Sequence, residues 1–113
     1  MINTSKQYDK AIGSCRDIFQ KKMADYGSAW RILRTTSLTD QIFIKANRIK
    51  TLEDKGVSKV GEGILPEYIG IINYCIMALI QLELGEAADT DMELEKAMTS
   101  YDKWSAEAKS LMQ

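Results

Sequence analysis

The feature that most constrains the fold is a long apolar stretch between residues 65 and 85. From residue 68 to residue 80, the one strongly polar side chain is Asn73, and apolar groups fall on every side of the predicted helix. This pattern predicts a central helix that other helices surround on most sides. A buried amide needs hydrogen-bond partners, because leaving it unpaired costs about 1–3 kcal/mol. Asn73 is therefore expected either to tie helices together or to line a pocket.

The composition favours an all-α fold around that helix. The chain has 113 residues, and its single proline and seven glycines leave few turn residues for an all-β design. Apolar spacing and glycine stops predict helices over residues 4 or 5 to 25, 37–55, 65–84 and 90 to the end, with a helical turn in the connection 25–36. We expect a four-helix bundle in which residues 1–113 form a single domain.

Three residues are predicted to start helices. The hydroxyl of Ser37 can cap the second helix. Pro66 is expected in the first turn of the third helix, where a missing amide hydrogen costs little. Thr90 and Glu93 fit a capping box at the start of the fourth helix.

The cysteine and histidine contents narrow the chemistry. Cys15 and Cys75 lie far apart beside apolar residues, which favours two buried, reduced thiols over a disulfide or a metal knuckle. The chain has no histidine, so histidine bases, Ser-His or Cys-His nucleophiles and the usual zinc sites are excluded. Chemistry must come from carboxylates, amides, lysines, tyrosines or a hard metal ion.

Charge is unevenly distributed along the chain. Residues 1–60 hold 12 Lys and Arg against 6 Asp and Glu, whereas residues 61–113 hold 3 against 10. The basic half can receive phosphates, or it can pair with the acidic half of its own chain or of a second copy. A net charge of −1 and the lack of a recognition helix disfavour direct DNA binding.

The N-terminus has no secretory segment, and Glu67 and Glu83 bracket the apolar stretch before it reaches about 18 apolar residues. We therefore expect a soluble, cytoplasmic protein without a membrane partner.

The end of the chain resembles its beginning. Residues 8–20 align with residues 101–113 at an offset of 93, with four identical positions. A chance match and the start of a truncated second repeat copy over residues 101–113 both remain open. A repeat cut within a helix would expose Met98, Trp104 and Met112, which predicts a homo-oligomer such as a dimer.

Three segments resemble a known family. They are Lys-Met-Ala-Asp-Tyr-Gly-Ser-Ala-Trp-Arg at 22–31, Thr-Asp-Gln-Ile-Phe-Ile-Lys-Ala-Asn-Arg at 39–48, and Gly-Glu-Gly-Ile at 61–64 leading to Glu-Tyr-Ile-Gly-Ile-Ile-Asn-Tyr at 67–74. In this order they are similar to the first nucleotide modification associated domain, a bacterial and phage family of unknown function with Lys-x-x-Asp-Tyr-Gly and Asn-Tyr signatures. The resemblance covers about residues 8–84.

That family is similar, more distantly, to the all-α nucleoside triphosphate pyrophosphohydrolases of the MazG and dimeric dUTPase type. The similarity implies an oligomeric bundle whose carboxylates hold Mg²⁺, which binds the triphosphate and activates water. Those enzymes carry Glu-x-x-Glu and Glu-x-x-Asp, but here Gly70 stands at the aspartate position after Glu67, and the first helix offers Asp17-x-x-Gln20. Glu67 remains as a metal-ligand candidate. Hydrolysis is expected only where a second copy or a partner subunit completes the acidic site.

The candidate nucleotide contacts are basic, aromatic and polar side chains within the same segments. They are Lys45, Arg48 and Arg31 for phosphates, Trp30 for stacking on a base, and Asp25, Tyr26 and Asn73 for polar edges. Each has a structural alternative, such as a core position for Trp30, a solvated face for Lys45 and Arg48, or a helix N-terminal charge for Glu67.

Gly70 predicts either a ligand pocket or a tight helix crossing, because glycine within a helix costs about 1 kcal/mol relative to alanine. The rival to a nucleotide-binding domain is a non-catalytic helical oligomerisation or scaffold protein. Convergence of Glu67, Asn73, Lys45 and Trp30 on one polar cavity would favour nucleotide binding.

Overall fold

The computed structural model of the chain describes residues 4–56, 60–85, 87 and 92–112. Its elements are α1 (Thr4–Tyr26), a 3₁₀ turn (Ala29–Ile32), α2 (Thr35–Lys55), α3 (Val60–Leu84) and α4 (Leu94–Met112). Those described ranges contain no strand. The prediction of an all-α bundle of four helices is confirmed, together with the helical turn in the first connection.

Glycines end the first three helices, as the sequence predicts. Gly27, Gly56 and Gly85 have φ values of 68°, 59° and 75°. A side chain with a Cβ atom is strained in this left-handed region, whereas glycine adopts it freely. The amides of Gly27 and Gly85 close the last turns by donating to the carbonyls of Met23 and Gln81, both at 2.8 Å.

The predicted start of α2 is wrong by two residues. The helix begins at Thr35, and its cap is Arg34, which makes no side-chain capping hydrogen bond. The amides of Ser37 and Leu38 donate to the Arg34 carbonyl at 3.0 and 3.3 Å. The backbone alone therefore closes the first turn, and the Ser37 hydroxyl is not the cap.

The predicted starts of α3 and α4 also need correction. α3 begins at Val60, so Pro66 lies in its second turn and part of the expected loop is helical. This first turn lies against α2, since a Cβ on Gly63 would contact Leu52 Cδ1 at 3.4 Å. α4 begins at Leu94, after Glu93, while Thr90 of the predicted capping box lies outside the described residues.

The core lies where α1, the 3₁₀ turn, α3 and α4 meet. The Phe19 ring stands between Trp30 and Tyr101, with ring centroids 6.1 and 4.7 Å away. Around these rings the buried cluster continues through Met92, which precedes α4, and through apolar side chains of α1, α3 and α4: Met23, Ile76, Ile80, Ala97 and Met98. α2 packs antiparallel along α3, as the contacts of Leu52 with Gly63 and of Lys45 with Gly70 show.

Part of α3 is less enclosed than its sequence predicts. Cys15 is buried, but Cys75 is exposed, so the prediction of a second buried thiol is wrong. Between α1, α3 and α4 runs a groove lined almost entirely by apolar atoms, which we call the apolar groove. Its lining residues are Tyr8, Ala11, Ile12, Ile71, Ile72, Cys75, Ile76, Leu79, Trp104, Ser105 and Ala108. Three neighbouring helices leave this side of α3 open.

By length and composition alone, the segment Gly63–Leu84 is apolar enough to cross a membrane, with a mean hydropathy of 1.6. Glu67 and Glu83 therefore do not exclude a membrane-spanning length, contrary to the prediction from the sequence. Within the bundle, α3 buries Glu67, Asn73 and Gln81, each hydrogen-bonded to another segment. These hydrogen bonds tie α3 to α1, to α2 and to the connection between them, and 22% of its apolar window is buried in the bundle.

Ion pairs join the basic half of the chain to its acidic half. Arg16 Nε lies 2.7 Å from Asp102 Oδ1, and Lys45 and Arg48 both reach Glu67. Pairing within one chain therefore accounts for part of the charge asymmetry.

Residues 101–112 continue α4 and lie antiparallel to α1, where Lys109 pairs with Asp9 at 2.9 Å and the Tyr8 hydroxyl donates to the Ser105 carbonyl at 2.6 Å. The two similar sequence segments thus face each other. Met98 is buried, contrary to the exposure expected of a truncated repeat, whereas Met112 is exposed. That residues 101–113 begin a second repeat copy stays a prediction.

Candidate functional site

A cavity of about 300 Å³ opens between α1, α2 and α3, and we call it the polar cavity. Its polar side chains come from all three helices: Lys22, Lys45, Glu67, Asn73 and Tyr74. Its apolar wall consists of Ile18, Phe19, Pro66, Ile69, Gly70 and Met77. Three predicted residues, Lys45, Glu67 and Asn73, therefore meet at one cavity.

A second cavity of about 420 Å³, which we call the apolar lobe, adjoins the first. The two share Phe19, Lys22, Tyr74 and Met77 as lining residues. The rest of the lobe is formed by the end of α1 and the connection to α2: Met23, Tyr26, Gly27, Ala29, Trp30, Ile32 and Leu33. Together, the polar cavity and the apolar lobe form the cleft.

Glu67 holds two cations at the polar cavity. Its Oε2 lies 3.2 Å from Lys45 Nζ, and its Oε1 lies 3.1 Å from Arg48 Nη1. Burial by itself would raise the pKa of Glu67, but hydrogen bonds from Arg48 and Lys45 outweigh it, so the pKa lies below its ordinary value. The side chain is 11% exposed, against 22% for Lys45 and 61% for Arg48. Glu67 is thus an ionised carboxylate whose cationic partners face outward.

Gly70 lets the Lys45 side chain lie directly on α3. A Cβ at this position would stand 2.6 Å from Lys45 Cε and 2.8 Å from Cδ. The close approach predicted from this glycine is therefore made by a lysine of α2, at a point that also lines the polar cavity. Lys45 Nζ lies 5.9 Å from the centroid of the Tyr74 ring, within the range of a cation–π contact.

Asn73 fulfils both of its predicted roles. Its Nδ2 donates to the Cys15 carbonyl at 3.0 Å, and its Oδ1 accepts from the Tyr101 hydroxyl at 2.7 Å. One amide thus ties α1, α3 and α4 together beside the polar cavity. Burial raises the pKa of Tyr101, which keeps its hydroxyl a donor. Both polar atoms of the amide have partners inside the protein, so Asn73 mainly stabilises the packing of these helices.

Arg31 points away from the cleft. It is buried, and its Nη1 donates to Gln81 Oε1 and, at 2.9 Å, to the Gly85 carbonyl. Gln81 Nε2 in turn donates to the carbonyls of Arg31 at 2.9 Å and Leu33 at 2.6 Å. We call these two side chains the Arg31–Gln81 cluster. It fastens the connection between α1 and α2 to the end of α3.

The remaining candidates divide between the apolar lobe and the surface. Trp30 belongs to the core, with its Nε1 donating to Met23 Sδ at 3.3 Å, and it also lines the lobe. Tyr26 lines the lobe and is 77% exposed. Asp25 is exposed and is not among the residues that line either cavity. Arg48 adjoins the cleft through Glu67.

Sequence reasoning missed three residues of these clusters. Lys22 and Tyr74 line both cavities, and each stands at one end of a signature segment quoted above. Both residues lie close in sequence to the Asp-Tyr-Gly and Asn73 positions that marked these segments, and that proximity is the signal for them. Gln81 was missed although, like Asn73, it is a polar side chain in an apolar helix, and that signal would have identified it as buried and paired.

The residues present do not fit a resident Mg²⁺ ion. Within residues 4–56, 60–85, 87 and 92–112, no three carboxylate or thiol side chains come close enough to share a metal. Mg²⁺ prefers several oxygen ligands in octahedral geometry. Glu67 is a single carboxylate, and Lys45 and Arg48 already occupy its two oxygens. A metal ion at Glu67 would also meet the positive charges of Lys45 and Arg48.

Comparison with known proteins gives one family. The family model of nucleotide modification associated domain 1 matches residues 22–82, which confirms the resemblance seen in the sequence. The matched segment contains every polar residue of the polar cavity. No curated protein and no solved structure matches the chain. The more distant similarity to the pyrophosphohydrolases stays a prediction.

Proposed function

Because the chain belongs to the family of nucleotide modification associated domain 1, we propose that it is a nucleotide-binding helical domain whose site is the cleft. The observation that carries the proposal is the adjacency of two unlike cavities. The polar cavity presents two lysines, and the apolar lobe beside it is lined almost entirely by apolar atoms. A nucleotide joins the same two chemistries, an anionic phosphate and a flat base.

The charge of the polar cavity supports the phosphate end of this proposal. Lys22 and Lys45 line the cavity, and Arg48 stands beside it on Glu67. Three cations and one carboxylate give a net charge of +2. Charge-assisted hydrogen bonds from lysine and arginine are the usual protein contacts to phosphate oxygens.

The aromatic side chains of the apolar lobe support the base end. Tyr26, Trp30 and Tyr74 line this lobe. Stacking of a base on an aromatic ring contributes about 1–3 kcal/mol, as measured by alanine substitution. Tyr26, at 77% exposure, is the most accessible of the three to a ligand.

Hydrolysis of a triphosphate is not part of the proposal for this segment alone, because Glu67 does not make a metal site. Hydrolysis would require a second copy or a partner subunit to supply further carboxylates, whereas a binding role in nucleotide metabolism or modification would not. Pyrophosphate release from nucleoside triphosphates with Mg²⁺ or Mn²⁺, measured for this chain and for a form extended by a second copy, tests that extension.

Isothermal titration with a panel of nucleotides tests the binding proposal. The variant Lys22→Met with Lys45→Met removes both cations of the polar cavity, and the control Lys10→Met with Lys50→Met removes two exposed lysines elsewhere on α1 and α2. We expect the first variant to lose about tenfold or more in affinity while the control keeps it. Absence of binding by the folded wild type, or equal losses in both variants, would refute the proposal.

A second candidate function is homo-oligomerisation without catalysis, and the apolar groove favours it. The charged side chains near the groove, Asp9 with Lys109 and Arg16 with Asp102, are paired within the chain. A second copy would therefore meet apolar surface without unbalanced charge. Sedimentation of Leu79→Glu in the groove and of Phe43→Glu on α2 tests this candidate. Dissociation by the first change alone supports it, and a monomeric wild type refutes it.

A further inference from the structure

The charges around the polar cavity balance a single phosphate group. Lys22, Lys45 and Arg48 against Glu67 leave two positive charges. A phosphate monoester carries about −1.5 to −2 at pH 7, which these charges match. A triphosphate carries more negative charge, and proteins commonly balance it with Mg²⁺ held by carboxylates. Of the described residues that line the polar cavity, Glu67 alone carries a carboxylate, and two cations already hold it.

Three contacts position the Lys45 ammonium group to bind that phosphate. Its side chain lies on Gly70, its Nζ donates to Glu67 at 3.2 Å, and the ring of Tyr74 lies 5.9 Å from the same nitrogen. An ammonium group has three donor hydrogens, so donation to Glu67 leaves two for a ligand. A cation that is already positioned loses little rotamer freedom when it binds.

The apolar lobe offers a base few groups that could distinguish one base from another. Its side-chain polar atoms are those of Lys22, Tyr26, Tyr74 and the indole nitrogen of Trp30, which already donates to Met23. Stacking accepts any base, because every base has an aromatic face. Strong discrimination requires buried hydrogen-bonding groups that the wrong ligand leaves unpaired.

From these three observations we infer that the cleft takes a nucleoside monophosphate, without a metal ion and with little preference among the four bases. This inference rests on the proposed function and specifies its ligand. The cation count sets the number of phosphate groups, and the apolar lobe sets the tolerance for bases. The two cavities that form the cleft, at about 300 and 420 Å³, lie within the ~300–1,000 Å³ range of ligand pockets.

Titration of the whole chain with the mono-, di- and triphosphates of all four deoxynucleosides, each in EDTA and in Mg²⁺, tests the inference. We expect the monophosphates to bind in EDTA, with affinities that agree within about tenfold across the four bases. Binding of triphosphates alone, and only with Mg²⁺, would overturn the inference while leaving the proposed function standing. Binding of no nucleotide would refute both. A preference of about 100-fold or more for one base would overturn base tolerance.

The substitution Glu67→Gln tests the charge count independently. It raises the net charge around the polar cavity from +2 to +3 and should favour diphosphates over monophosphates by several-fold compared with the wild type. Glu53→Gln makes the same charge change at an exposed position of α2 and serves as the control. An unchanged ratio of diphosphate to monophosphate affinity in Glu67→Gln, or the same change in the control, would overturn the inference.

Discussion

Two polar clusters on α3 use similar side chains for different ends. Near the start of the helix, Glu67 holds Lys45 and Arg48 beside an open cavity. Near its end, Gln81 holds Arg31 in the interior. The first cluster pairs two cations with a negatively charged carboxylate, whereas the second pairs one cation with uncharged amide and carbonyl oxygens.

The difference in surroundings decides what each cluster can do. Arg31 Nη1 donates to Gln81 Oε1 and to the Gly85 carbonyl, so these contacts join the α1–α2 connection to the end of α3. Lys45 has one ion-pair partner and lines a cavity, so it keeps donors for a ligand. Arg31, whose partners are neutral and buried, is therefore structural. Lys45, which a carboxylate orients at the mouth of a cavity, is suited to binding.

The largest expected effect comes from breaking the closed cluster. Gln81→Leu leaves the Arg31 guanidinium with one acceptor fewer and the carbonyls of Arg31 and Leu33 without the Gln81 amide. We expect the free energy of unfolding to fall by about 3 kcal/mol, because unpaired buried polar groups cost about 1–3 kcal/mol each and charged groups more. Urea denaturation measures this loss, with exposed Gln41→Leu as the control. A loss below about 1 kcal/mol would show that the cluster is not a fastening point.

Glu67→Gln should cost less at the open cluster. Water reaches Arg48 freely and Lys45 in part, so both cations keep hydration when the carboxylate charge is removed. We expect a loss of about 1 kcal/mol, in the range of partly exposed ion pairs. Urea denaturation of Glu67→Gln and Glu53→Gln measures it. A loss as large as that of Gln81→Leu would mean that the two clusters do not differ as described.

The fold was largely predictable where local chemistry decides it. Gly27, Gly56 and Gly85 end helices in a left-handed backbone conformation that favours glycine, so a single residue type is enough to predict each end. The start of α3 at Val60 carries no such single-residue signal, and its first turn lies beside Leu52 of another helix. The open side of α3 likewise depends on where α1 and α4 lie, which its own apolar pattern does not encode.

The candidate site was predictable only in part for the same reason. Of the four residues whose convergence on one polar cavity would favour nucleotide binding, Lys45, Glu67 and Asn73 line it, and Trp30 lines the apolar lobe instead. Arg31 looked equivalent to Arg48 in spacing and charge, but its partner Gln81 lies 50 positions later in the chain. Local spacing therefore cannot separate a phosphate-binding arginine from a structural one. The position of the long-range partner does.

A smaller effect on stability is expected when a side chain at position 70 occupies the space where Lys45 lies. Gly70→Ala gains about 1 kcal/mol of helix propensity but places a Cβ where Lys45 Cε and Cδ now lie. The flexible lysine can move away, so the net change in unfolding free energy should stay within about 1 kcal/mol of zero. Nucleotide affinity should nevertheless fall, because Lys45 leaves its position beside Tyr74. Gly13→Ala, which meets no atom within 4 Å, is the matched control for calorimetric titration. Full affinity in Gly70→Ala would show that the position of Lys45 does not matter for binding.

The smallest expected effect is a difference in pH dependence: the stability contributed by the Glu67 cluster changes with pH, and that of the Arg31–Gln81 cluster does not. The folded-state pKa of Glu67 lies below its ordinary value of 4.5, so the stability that its ion pairs contribute is fully present above that pH. This contribution is lost as the pH falls through the depressed folded value, because the unfolded chain takes up the proton first. The difference in unfolding free energy between wild type and Glu67→Gln should therefore be constant from pH 7 to about 5 and shrink towards pH 3. Gln81 has no proton to gain, so the loss caused by Gln81→Leu should stay the same over that range. Denaturation curves of the three proteins at each pH measure both differences. A constant Glu67→Gln difference down to pH 3 would mean that Glu67 does not hold its cations as an ionised carboxylate.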